Sequence, residues 1–162
     1  MSDLRRVREL TRSDRRAYDI LERGLKYHWP DVRFVTLTGV GSGHEWRKSF
    51  RKLRDILRQS GKCKAYFGVR TGEGNGVLHL CIAGTFIKWE YLSGLWKAIS
   101  KSWVVSISRV RNYGIMAEML LQKKKVRYFH DHNWLPPTNK QIDLAGKILG
   151  SYYFEKTMKF VK

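Results

Sequence analysis

Apolar residues recur along this chain in two rhythms. Between residues 45 and 59, Trp46, Phe50, Leu53 and Leu57 fall at i, i+4, i+7 and i+11, one face of a helix. Tyr18, Leu21 and Leu25, with Trp29 beyond them, mark an earlier helix from the N-cap Ser13 to about Tyr27, ended by Pro30. Trp89, Leu92, Leu95, Trp96 and Ile99 predict another from about Lys88 to Lys101. Asn112 to about Gln122 reads as helical, with Ile115, Met119 and Leu120 inward. Thr138 can cap a last helix toward Lys159, which Gly146 and Gly150 weaken.

The second rhythm is alternation. Arg33 to Thr38 is β-branched and alternating, hence a strand. Cys63 to Arg70 and Val77 to Ile82 are strands of a hairpin, with Thr71 to Gly76 as its turn. That turn sets Gly68 opposite His79 and Tyr66 opposite Cys81, the glycine leaving room for a ligand. Trp103 to Val110 is a further strand, and Tyr128 to Leu135 is irregular or a short strand. Gly39 to Gly43 is a connector, since no Lys-Ser/Thr follows it as in a phosphate-binding loop. The order predicts an α+β fold: a βαββαβ-like antiparallel sheet with helices packed mainly on one face. The other face is expected to be open, with His79 on it. The organisation read is a basic arm and helix over 1–29, an α+β nucleic-acid-binding domain over 30–137, and a helical tail over 138–162.

Composition adds the partner. The chain has 162 residues, enough for one domain with a core. Its 32 basic residues against 14 acidic ones give a formal charge of +18, which calls for a polyanion. Nucleic acid comes first, DNA ahead of RNA, although charge alone does not tell the sugars apart. Within the 45–59 helix the outward run from Arg47 to Arg58 carries Arg47, Lys48, Arg51, Lys52, Arg54 and Arg58 against one acid inside the run, Asp55. Such a run is most often a solvated face; here its imbalance points to phosphates. Arg70 and the run Lys123, Lys124, Lys125 and Arg127 join it as candidate nucleic-acid contacts. The arm with Arg5, Arg6, Arg8 and Arg12 is either solvated or in contact with DNA. Six tryptophans offer stacking surfaces, though Trp46, Trp89 and Trp96 sit on apolar stripes and are expected in the core.

No run of about 18 apolar residues predicts a membrane helix, and Met1 to Arg6 lacks the core of a signal peptide. Two cysteines, Cys63 and Cys81, make no disulfide framework. The expected setting is a reducing, cytoplasmic one without membrane contact, compatible with a virion-associated role. The composition leaves room for a homo-oligomer.

Candidate chemistry centres on Val77-Leu-His-Leu-Cys81. On a strand His79 and Cys81 share a face, and Glu73 in the adjacent turn supplies a third donor for a metal. His44, His130, Asp131 and His132 are further donors. A lone strand histidine is more often structural. Tyr113, one of eight tyrosines, is the candidate nucleophile.

Phe34-Val-Thr-Leu-Thr38, then the basic helix, then Tyr66-Phe-Gly-Val-Arg70, then Gly76-Val-Leu-His-Leu-Cys-Ile82, resembles the rolling-circle replication initiators (Rep proteins) of the HUH endonuclease superfamily. The resemblance spans roughly residues 30–137 and implies their ferredoxin/RRM-like topology. In that family two histidines flank one bulky residue and bind Mg²⁺ or Mn²⁺, and a helix tyrosine attacks the DNA phosphate. Here His79 aligns with the first histidine and Cys81 with the second, and a thiolate prefers a softer ion such as Zn²⁺. The tyrosine pattern is met by Met119-Leu-Leu-Gln122; Tyr113 lies nearly two turns upstream. The resemblance thus implies a Rep-like DNA-binding protein of a virus, plasmid or other mobile element that has lost strand cleavage and needs no cofactor to bind. One alternative is an active nickase with His79, Cys81 and Glu73 as metal ligands and Tyr113 as nucleophile. Another is a structural nucleoprotein that packages a genome.

Overall fold

Both rhythms meet in a five-stranded antiparallel sheet, so the class is α+β. The computed structural model describes residues 12–39, 45–72, 76–102, 105–110, 125–144 and 146. Its elements are α1 (Arg12–His28), β1 (Val32–Thr38), α2 (Glu45–Gln59), β2 (Ala65–Thr71), β3 (Val77–Ala83), α3 (Trp89–Ser100), β4 (Val105–Arg109) and β5 (Lys125–His130). Strand order is β4-β1-β3-β2-β5, every neighbour antiparallel. The units β1-α2-β2 and β3-α3-β4 each span a strand of the other, so the two crossovers interleave. The arm 1–11, the helix expected near Asn112 to Gln122 and the tail beyond 146 lie outside the described residues.

One face of the sheet carries α2 and α3. Trp46, Phe50, Leu53 and Leu57 of α2 are all buried, as their spacing predicts. They meet Val35, Leu37, Leu78, Leu80 and Ile82 of the central strands, with Leu92 and Trp96 of α3 beside them. Full burial of such side chains contributes about 1.5–3 kcal/mol each. Of the α3 stripe, Trp89 departs from the expected core position: its ring is half exposed, and its Nε1 donates to the Val105 carbonyl at 2.8 Å. Helix α3 ends at Lys101, whose left-handed backbone returns its N–H to the Lys97 carbonyl.

The opposite face is not open. Ala17, Leu21 and Leu25 of α1 pack there against Val32, Ala65, Phe67, Val69 and Cys81. The helix placed by sequence in a separate 1–29 segment therefore shares a core with the sheet. Because α1 presents small residues, a ring from elsewhere fills the space: Trp134, fully buried, donates from Nε1 to the Ile20 carbonyl at 3.0 Å. A Cβ at Gly24 would lie 2.1 Å from that indole, so only glycine lets α1 seat it.

The hairpin register also differs from expectation by one residue. Val69 faces His79 and Phe67 faces Cys81; Gly68 faces Leu80. Thr71, β-branched and buried, extends β2 and pairs with Val77 instead of opening the turn. Gly68 makes room for Phe129 of β5, whose ring would lie 2.3 Å from a Cβ there. It leaves no space beside His79.

Candidate nucleic-acid interface

Amphipathic α2 buries its apolar stripe and turns its basic residues outward. Lys48, Arg51 and Lys52 are exposed, while Arg47, Arg54 and Arg58 are half-buried. On the side toward β5, three predicted contacts come together. The guanidinium carbons of Arg47 and Arg70 each lie 5.5 Å from the centroid of the Trp46 ring. Arg127 is the cross-strand partner of Arg70, and it is exposed. Like charges directly opposite on neighbouring strands destabilise a sheet. Residues distant in sequence thus bring Arg47 and Arg70 to the electron-rich Trp46 ring, with Arg127 on the neighbouring strand.

On the side toward α3, a groove of about 530 Å³ runs past Gly39 at the end of β1. Lys48 and Lys52 line it from α2 and Lys101 lines it from α3, with Glu45 as its single acid. Sequence reading missed Lys101. Its signal was present: a basic residue just past the last helical turn, beside the end of the preceding strand.

Arg58, also expected at the interface, is engaged inside the protein. Its Nη2 lies 2.6 Å from Oδ2 of the buried Asp131, and its guanidinium sits over Tyr66 at 5.8 Å. His132 Nδ1 approaches the other oxygen of Asp131 at 3.1 Å. Asp131 is thus a link between β5 and α2 rather than a ligand facing outward. Lys123 and Lys124 lie outside the described residues, and of Lys125 only the backbone, in β5, is described.

The candidate metal strand alternates as expected: Leu78, Leu80 and Ile82 face α2 and α3, and Cys81 faces the α1 side. His79 is 2% exposed. Its ring stacks on Phe34 with centroids 6.1 Å apart, and Nε2 lies 3.5 Å from Thr71 Oγ1. Burial pushes the Cys81 thiol up to about 12, so it is a protonated, apolar-like group. Cys63 belongs to the other core, where burial outweighs the nearby Arg58 charge and pushes its thiol up to about 11. Both cysteines are free and lie on opposite faces. Among the described residues no three His, Cys, Asp or Glu side chains cluster as metal ligands. Glu73 and Tyr113 lie outside the described residues. A buried, ring-stacked histidine beside a sealed neutral thiol does not fit a divalent hard cation.

No described helix is long and apolar enough to cross a membrane. Comparison with protein-family models, with curated proteins and with solved structures finds no match.

Proposed function

We propose that this chain is a basic, Rep-like DNA-binding protein that holds nucleic acid along α2 and does not cut it. The observation that carries the reading is the pair Arg47 and Arg70 over the Trp46 ring, with Arg127 across the strand from Arg70. Arginines gathered beside an aromatic ring suit a phosphate, which accepts charge-assisted, bidentate hydrogen bonds from guanidinium groups. The lysine groove on the other flank of α2 extends the same basic surface. With a formal charge of +18, association is driven by counterion release.

The Rep-like part rests on the motif order over residues 30–137 and on the interleaved crossovers, which are compatible with a ferredoxin-like topology. Loss of cleavage rests on Cys81 and Met119 at the positions where that family has a histidine and a tyrosine. The burial of His79 and Cys81 agrees with this reading.

Fluorescence anisotropy across about 50–200 mM salt tests it, with a steep fall of affinity expected. Arg127→Glu should lower the salt slope by at least about 1. Salt-independent binding, or none, overturns the binding claim. A covalent DNA adduct formed with Mn²⁺ and abolished by Tyr113→Phe overturns the loss of cleavage.

A further inference from the structure

A second surface lies away from α2. The C-terminal end of α1, the 131–138 segment and the adjacent ends of β2 and β3 enclose two adjoining hollows. Their volumes are about 740 and about 520 Å³, and they share Tyr27, His28 and Lys64. Both fall in the range of about 300–1,000 Å³ common for ligand sites.

Two large rings stand in this region facing water. Tyr27 is 52% exposed and Trp29 is 40% exposed. The walls around them are fixed. His28 Nε2 donates toward the carbonyls of Asn133 and Trp134 at 3.1 and 3.0 Å, and its ring tilts against Trp134. The floor is tied by Gly84 N–H to the Asp31 carbonyl at 3.0 Å and by Lys64 N–H to the Ala83 carbonyl at 2.7 Å. Arg23 and Lys64 bring positive charge, and Asp31 is the one acid lining either hollow.

Flat exposed rings beside cations on a fixed wall suit unpaired bases joined by phosphates. A duplex hides its base faces and cannot use such rings, whereas every unpaired base has one to offer. We propose that this groove is a single-strand site, in which bases stack on Tyr27 and Trp29 while Lys64 and Arg23 hold the backbone. The inference rests on the nucleic-acid reading above and adds a preference for unpaired strands that the α2 surface does not supply.

The test measures anisotropy on the full chain with a single-stranded DNA, the matching RNA and the matching duplex. Tyr27→Ala/Trp29→Ala should weaken single-strand binding at least about fivefold, the effect of removing a stacking platform, and leave duplex binding unchanged. Tyr27→Phe/Trp29→Phe should restore it, since the ring and not its polar atom is used. A thermal melt confirms that the exposed changes leave the fold intact. The DNA and RNA arms report whether either sugar is preferred. Equal single-strand affinity in wild type and the alanine variant overturns the groove and leaves the α2 reading standing. Equal loss on single strand and duplex also overturns it. No binding by the wild type to any of the three, with Arg127→Glu equally silent, overturns both.

Discussion

The two faces of the sheet are sealed in different ways. On one face α2 alone brings four large apolar side chains, Trp46, Phe50, Leu53 and Leu57, to the central strands. On the other, α1 brings Ala17, Leu21, Gly24 and Leu25 and depends on Trp134 to complete the layer. Among the described residues the first layer holds one buried charge at its margin, Asp131 paired with Arg58 of α2, and the second encloses Asp14, Thr71 and His79. Tyr128 Oη meets Asp14 Oδ1 at 3.3 Å, and Thr71 approaches His79. A face covered by a strongly amphipathic helix with α3 beside it needs no ring from a distant loop. A face built from a weak helix and a distant ring inherits the cost of holding both.

That contrast can be broken from either side. Trp134→Ala should have the largest effect, about 3–5 kcal/mol of lost stability. Hydrogen exchange should then quicken in α1 before α2; simultaneous opening would erase the distinction. Leu53→Ala should cost about 2–5 kcal/mol, read by denaturant titration, and should lower protection across the whole sheet instead. Gly24→Ala separates packing from propensity. Helix propensity alone predicts a gain of about 1 kcal/mol. The 2.1 Å approach of Trp134 predicts a loss of about 1–3 kcal/mol, and a thermal melt gives the sign.

The two thiols respond to alkali in the same direction. Both are held above the ordinary value of 9.0, so the unfolded chain releases these protons first. Their contribution is full below pH about 9 and falls as pH rises toward about 11 and about 12. Melts on either side of pH 9.0 should show this loss, and a Cys63→Ala/Cys81→Ala protein should lose less. The smallest effect belongs to the exposed pair Glu22 and Lys26, 2.8 Å apart on α1. The Lys26 hydrogen bond holds the Glu22 carboxyl below its ordinary value. Its gain is present above pH about 4.5 and disappears as pH falls through the lowered value. Glu22→Gln should cost about 0.3–0.5 kcal/mol at neutral pH and nothing in acid, by the difference in melts.

Much of the α2 face was legible because its signal is local. Four apolar residues at helical spacing and a short apolar run with one histidine from Val77 to Ile82 needed no knowledge of the rest of the chain. The α1 face was not legible, because its completing residue lies more than a hundred positions away and nothing near Trp134 names its partner. The register slipped for a smaller reason: Thr71 was read with the turn beside it, although its β-branched side chain belongs to the strand. Of the interface, the basic face of α2 was visible in sequence. The meeting of Arg47, Arg70 and Arg127 was not, since cross-strand pairing with β5 brings them together.

The link between Trp134 and α1 has a consequence for synthesis. Helix α1 is translated before the strands, but its ring partner comes after all five described strands. Until then the layer between α1 and the Phe67 side of the sheet lacks the ring that completes it. At about 5–20 residues per second, that interval lasts several seconds. A nascent chain of this protein can therefore assemble α1 on the sheet before it can lock that layer with Trp134.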